Sequence, residues 1–155
     1  MRLLTLATIL GALGGCDPGS VGSTMPGPMQ GICPPTMQSQ FSSINRELFQ
    51  KSCGTGGASC HSQAGSVNSG GLDLATDPYH ALVGTQATNL EGSVRGLVRV
   101  KPGDPQGSFL MIKLQTMTAS DPRYGSGMPF GKAGTVCGTA TDAIAQWIAQ
   151  GARQD

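Results

Sequence analysis

Aromatic side chains are scarce in this chain of 155 residues, with four Phe, two Tyr and a single Trp. Such rings bury the most surface per residue, so a core poor in them is thin and needs disulfides or an internal bound group. Charge is scarce as well, at 12% of residues against about a quarter in an ordinary soluble domain. Ten basic and nine acidic residues almost cancel, and losing Arg2 with a leader leaves nine of each. With no basic cluster either, nothing supports a nucleic-acid surface. Internal repeats, a phosphate-loop glycine pattern and a serine nucleophile elbow are all missing. What abounds is glycine, at 24 residues, and proline, at ten. The expected product is one small, loop-rich domain.

The chain opens with an export signal. Arg2 supplies a minimal positive region, and Leu3 to Leu13 form an apolar run too short to span a membrane. Leu13-Gly14-Gly15-Cys16 resembles a bacterial lipobox, in which the cysteine becomes the lipid-bearing first residue. The plainer alternative is an ordinary cleavable signal followed by an incidental cysteine. The expected organisation is a lipoprotein signal peptide over 1–15, a flexible tether over 16–38 and a folded domain over 39–155. The tether assignment rests on its Gly, Pro, Ser, Met and Thr content and its lack of periodicity. Export implies an oxidising compartment, here the periplasmic side of a bacterial membrane.

Within the domain, Phe41, Ile44, Leu48 and Phe49 fall on one helical face, predicting a helix from about Gln40 to Ser52 with Ser39 as cap. Asp77-Pro78 predicts a short helix ending before Gly84. Glu91 to Val100 reads as extended and apolar. Ser108 precedes a third helix with Leu110, Leu114 and Met117 on its stripe, and Met111 and Met117 are expected in the core. Thr139-Ala-Thr-Asp142 matches a capping box opening a last helix, striped by Ile144, Trp147 and Ile148 and stopped by Gly151. The fold class expected is all-α.

The stretch that carries chemistry is Cys53-Gly-Thr-Gly-Gly-Ala-Ser-Cys60-His61. A cysteine directly before a histidine, with another cysteine upstream, is the arrangement of covalent haem attachment. Two thiols add to the haem vinyls, and the following imidazole ligates the iron. The usual spacing has two residues between the cysteines, and here there are six. Glycines at 54, 56 and 57 allow the extra residues to bulge outward. The competing reading of the same residues is a Cys53–Cys60 disulfide. Zinc lacks a fourth ligand near Cys53, Cys60 and His61.

The order of these features resembles the small all-α cytochrome c domain. It is most similar to the cytochrome-c-like modules of planctomycete and myxobacterial exported lipoproteins. The resemblance rests on an ordered set: the Cys-His site after the first helix, Gly70-Gly-Leu-Asp-Leu74, Arg99-Val-Lys-Pro-Gly-Asp-Pro105, Ser108-Phe-Leu, Met128-Pro129 in a glycine-rich loop, and Trp147-Ile-Ala-Gln-Gly-Ala152. It spans about residues 40–152. It implies a small cytochrome c-like fold with crossing N- and C-terminal helices and long loops. It further implies one covalent haem c, with Cys53 and Cys60 as thioethers and His61 and Met128 as axial ligands of the iron. His80 is the alternative sixth ligand, and the plain reading of His80 is an exposed helix residue.

The function implied is single-haem electron transfer by a membrane-tethered carrier, with exported redox proteins as partners and the lipid on Cys16 as membrane anchor. No acid/base constellation points to an enzyme. The alternative is a haem-free lipoprotein that keeps the fold, closes Cys53 to Cys60 and serves as a structural or binding module of the envelope. Once Cys16 carries lipid, four cysteines remain and allow three pairings. With Cys53 and Cys60 tied to each other, Cys33 and Cys137 are left, each shortly before a terminal helix. If those helices cross, the preceding loops can meet, and a Cys33–Cys137 disulfide is expected.

Overall fold

The computed structural model describes residues 31–55, 60–63, 69–88, 90–118 and 121–155. The signal segment, Cys16, most of the tether, and Gly56 and Gly57 lie outside the described residues. Among the described residues the regular structure is helical: five short α-helices, a π-helical segment and no strand. No helix among them is long and apolar enough to cross a membrane.

The first helix begins as α1 (Phe41–Ile44) and widens into a π-helix over Asn45–Cys53. Its apolar stripe is buried as the spacing predicts: Phe41, Ile44, Leu48 and Phe49 all face the core. The predicted cap at Ser39 is not used, since Gln40 occupies the N-cap with no side-chain bond. Instead the carboxylate of Asp155 accepts from the Ser42 amide at 2.9 Å and from its hydroxyl. An anion at that end also suits the helix dipole.

The last helix, α5, spans Gly138–Ala149 with Ile144, Trp147 and Ile148 buried. It starts two residues earlier than the capping-box pattern suggests, with Cys137 at the N-cap and Thr139 already inside. The reason is a tertiary contact: Ile32 pairs with Val136 in a parallel bridge, accepting from the Cys137 amide and donating to Thr135. Residues in the stretch read as tether are therefore seated on the domain, and Ile32 and Met37 both pack against the core.

The first and last helices pack on each other, as the resemblance implied. Phe41 lies against Trp147, and Tyr79 meets Phe41 edge-on with centroids 5.1 Å apart. Three of the seven aromatic side chains are thus gathered at one junction. Two of them also reach polar partners: Tyr79 donates its hydroxyl hydrogen to the Ala152 carbonyl at 3.1 Å, and Trp147 Nε1 donates to the Arg153 carbonyl at 2.8 Å. These bonds hold the chain beyond Gly151 against α5 and the Tyr79 side chain.

Between these helices lie α2 (Pro78–Leu82), α3 (Leu90–Val94) and α4 (Phe109–Gln115). Asp77 caps α2 as predicted, accepting from the His80 amide. The stretch from Glu91 departs from the extended reading. It first makes the turn of α3, which Gly96 stops with φ 63°, and only then runs out through isolated bridges at Val98 and Val100. In α4, Met111 and Leu114 are buried, but Met117 is 71% exposed. The helix stops at Gln115 and Thr116 is extended, so the helical spacing that put Met117 on the stripe no longer applies.

The loops are knitted together by backbone bonds and two polar knots. Ser108 is fully buried, and its hydroxyl accepts from the Lys101 amide and donates to the Asp104 carbonyl. Arg99, only 7% exposed, donates to the carbonyls of Ala81 at 2.8 Å and Gly70 at 2.6 Å, and to Thr88 Oγ1. The guanidinium thereby joins α2, the Gly70 turn and the segment after it.

Candidate functional site

The π-helix delivers Cys53 to the site. Its wide turns end in an amide bond from Gly54 to Phe49 O at 2.7 Å, one residue longer in register than an α-turn. Gly54 is needed there for space, because a Cβ would stand 3.0 Å from the Leu74 carbonyl oxygen. The chain then returns so that the His61 amide donates to the Cys53 carbonyl at 3.0 Å. In turn the Leu74 amide donates to the His61 carbonyl at 2.7 Å. His61 is held through both of its main-chain groups, and Cys53, Cys60 and His61 are drawn to one place.

The electrostatics of the three residues follow from burial. Desolvation, followed by the neighbouring Cys60 sulfur, pushes the Cys53 thiol up to about 12. It carries its proton at any physiological pH. Burial likewise lowers His61 below the usual imidazole range; the Leu72 backbone works against this, while the Arg99 and Lys113 cations add to it. The ring is therefore neutral. Its Nδ1 is buried and makes no hydrogen bond of good geometry, and it is the one such side-chain atom among the described residues.

Met128 is half-buried, packs against the core and is joined to Pro129 by a cis peptide. Its amide donates to the Lys113 carbonyl at 2.8 Å, which ties the methionine loop to the end of α4. The cation of that same lysine acts on His61, so α4 links the loop to the histidine's surroundings. Gly127 lies so close to the Thr116 carbonyl that a side chain there has no room. His80 is far less suited to ligation. Its ring is exposed on α2 and its Nδ1 is 2.9 Å from the Asp77 carboxylate.

Cys33 and Cys137 lie side by side and are free thiols not at bonding distance. Cys16 lies outside the described residues. Among the described residues no group of three His, Cys, Asp or Glu side chains is arranged to hold a bare metal ion. Two surface clefts, of about 400 and 320 Å³, lie elsewhere, beside Trp147 and Arg153 and beside Met117 and Tyr124.

Sequence reading missed Arg99 and Lys113 as charges acting on His61. The only available signal was a charged residue set between Val98 and Val100 in an apolar stretch. Comparison with protein families, with curated proteins and with solved structures finds no match for this chain.

Proposed function

We propose that this protein is a membrane-tethered, periplasmic haem-binding electron carrier with a cytochrome c-like fold, and not an enzyme. The observation that carries the reading is the neutral, half-buried ring of His61, immediately after Cys60 and hydrogen-bonded through its amide to Cys53. A ligating imidazole must be neutral, and a metal-bound histidine ordinarily directs its second nitrogen to a backbone carbonyl. The Leu72 backbone, which acts on the ring, is the group within reach of that second nitrogen. A thioether sulfur has no proton to lose, so the burial that disfavours a Cys53 thiolate does not disfavour a thioether.

In this reading Cys53 and Cys60 would hold one haem c by thioethers, and His61 and Met128 would ligate its iron. When bound, the haem supplies one-electron chemistry at its iron, and the protein supplies burial, ligands and orientation. His61 would be fixed by its two backbone bonds. Met128 would be anchored through Lys113, and the apolar side chains around them would keep water out. Lipid on Cys16 would hold the domain at the membrane, within reach of exported redox proteins.

A second reading rests on the same nearness of Cys53 and Cys60. Joined as a disulfide, they leave a haem-free envelope lipoprotein of the same shape, acting as a structural or binding module. Intact mass of the protein, exported by a host with a haem-attachment system, separates the two. Electron transfer requires the haem increment and sharp reduced absorption bands. A mass without the haem increment, with Cys53 and Cys60 found crosslinked by peptide mapping, overturns it in favour of the disulfide.

A further inference from the structure

Cys33 and Cys137 come together by a route independent of the Cys-His site. The parallel bridge between Ile32 and Val136 sets the two chains in register, and one residue further along each chain carries a thiol. The two thiols differ in surroundings. Cys33 is exposed and donates its hydrogen to the Cys137 sulfur, and this bond, followed by burial, keeps its own thiol above the usual range. Cys137 is the N-cap of α5, twelve residues long. Burial opposes its ionisation, but the side-chain contacts with Cys33 and with Thr139 Oγ1, 3.2 Å away, and the nearby backbone of the first turn outweigh that and hold it below the usual range. A sulfur at a helix N-terminus whose ionised form is favoured is the better nucleophile of a pair, and equally the better leaving group.

We propose that Cys33 and Cys137 form a thiol–disulfide exchange pair, with Cys137 as attacking sulfur, whose oxidation latches the N-terminal segment onto the start of α5. The Cys137 thiolate attacks one sulfur of an external disulfide, expelling the other as a thiolate and leaving a mixed disulfide on Cys137. Cys33, deprotonated as it attacks, then displaces the remaining external thiolate and forms the internal disulfide. The protein loses two protons and two electrons, and the external disulfide takes them up as two thiols. An external dithiol drives the reverse. With the bond open, the register of this contact is held by the two backbone hydrogen bonds of Ile32.

Oxidised glutathione is the probe, applied to the full chain in detergent, with each cysteine read by alkylation and peptide mapping. In Cys33→Ser, glutathione should accumulate on Cys137 at least about tenfold faster than on Cys33 in Cys137→Ser. Wild type should resolve to a Cys33–Cys137 crosslink without retaining glutathione, and that crosslink should reopen in a buffer of reduced glutathione. Equal rates in the two variants overturn the assignment of the attacking sulfur. In wild type, which does not depend on either variant folding, a crosslink inert to excess reduced glutathione, or glutathione left standing on either cysteine, overturns the exchange pair. Haem is read by mass in the same samples, so this result and the electron-carrier reading stand or fall separately.

Discussion

The rings of Phe41 and Trp147 meet with their centroids 5.6 Å apart and their planes tilted by 36°. This contact joins the first turn of the first helix to the third turn of the last, across more than a hundred residues of loops and short helices. Both rings are buried, so the contact ties the two ends of the domain through its core.

Trp147→Ala should therefore cost about 3–5 kcal/mol, the usual range for emptying a buried aromatic site. A double-mutant cycle with Phe41→Ala should give a coupling of about 0.5–1.5 kcal/mol. Urea denaturation measures both. Strictly additive losses would mean that the two rings stabilise the fold independently of each other.

Arg99 is a buried cation whose described hydrogen-bond partners are two carbonyls and a hydroxyl. Removing it takes a charged donor from two part-buried carbonyls, Ala81 and Gly70, and from the Thr88 hydroxyl, so Arg99→Ala should lose about 2–3 kcal/mol. Arg99→Lys should recover little of this, because a point ammonium cannot reproduce the planar fork. If lysine restores wild-type stability, charge and not geometry is what the site needs.

The metal-free chain should weaken on mild acidification through His61. Burial sets its folded-state pKa below the ordinary 6.5, so between the two values the unfolded chain holds a proton that the folded chain does not. Stability from this source is complete above about pH 6.5 and falls as the pH drops toward the folded value. The carboxylates of Glu47, Asp73, Asp104, Asp121 and Asp155 also have lowered values, but their share is lost at lower pH. Comparing wild type with His61→Phe at pH 7.5 and 5.5 isolates the histidine. Parallel curves would show that its burial has no thermodynamic consequence.

Gly127→Ala should destabilise by about 1–3 kcal/mol, because its Cβ meets the Thr116 backbone and either strand of the contact must move. If Met128 ligates iron, the same change should disturb the low-spin spectrum. Met128→Ala should leave haem attached while changing its ligation and lowering the potential. A spectrum and potential unaltered by Met128→Ala would remove the methionine from the ligand set.

The helix stripes were legible because burial follows spacing: Phe41, Ile44, Leu48, Phe49, Ile144, Trp147 and Ile148 are all in the core. The Asp77-Pro78 start was equally plain, since cap and proline act locally. The π-helix was not, because a wide turn leaves the same residues on the same face. Contacts from distant segments account for the other departures. Ile32 decides where α5 begins, and Asp155 does the work assigned to Ser39. Around the candidate site, the sequence shows Cys60 and His61 as neighbours. That Cys53 bonds the His61 amide, across seven intervening residues, is a property of the folded path.

That path has a thermodynamic corollary. His61 uses its amide on Cys53 and its carbonyl on Leu74. The peptide units on both sides of the ring are thus immobilised by folding and not by a ligand. Little ordering entropy then remains to be lost when the ring takes up a partner, which favours affinity through preorganisation. It also means that a change of charge on such a partner would meet a rigid main chain, so the response must come from side chains, Arg99 and Lys113 first among them.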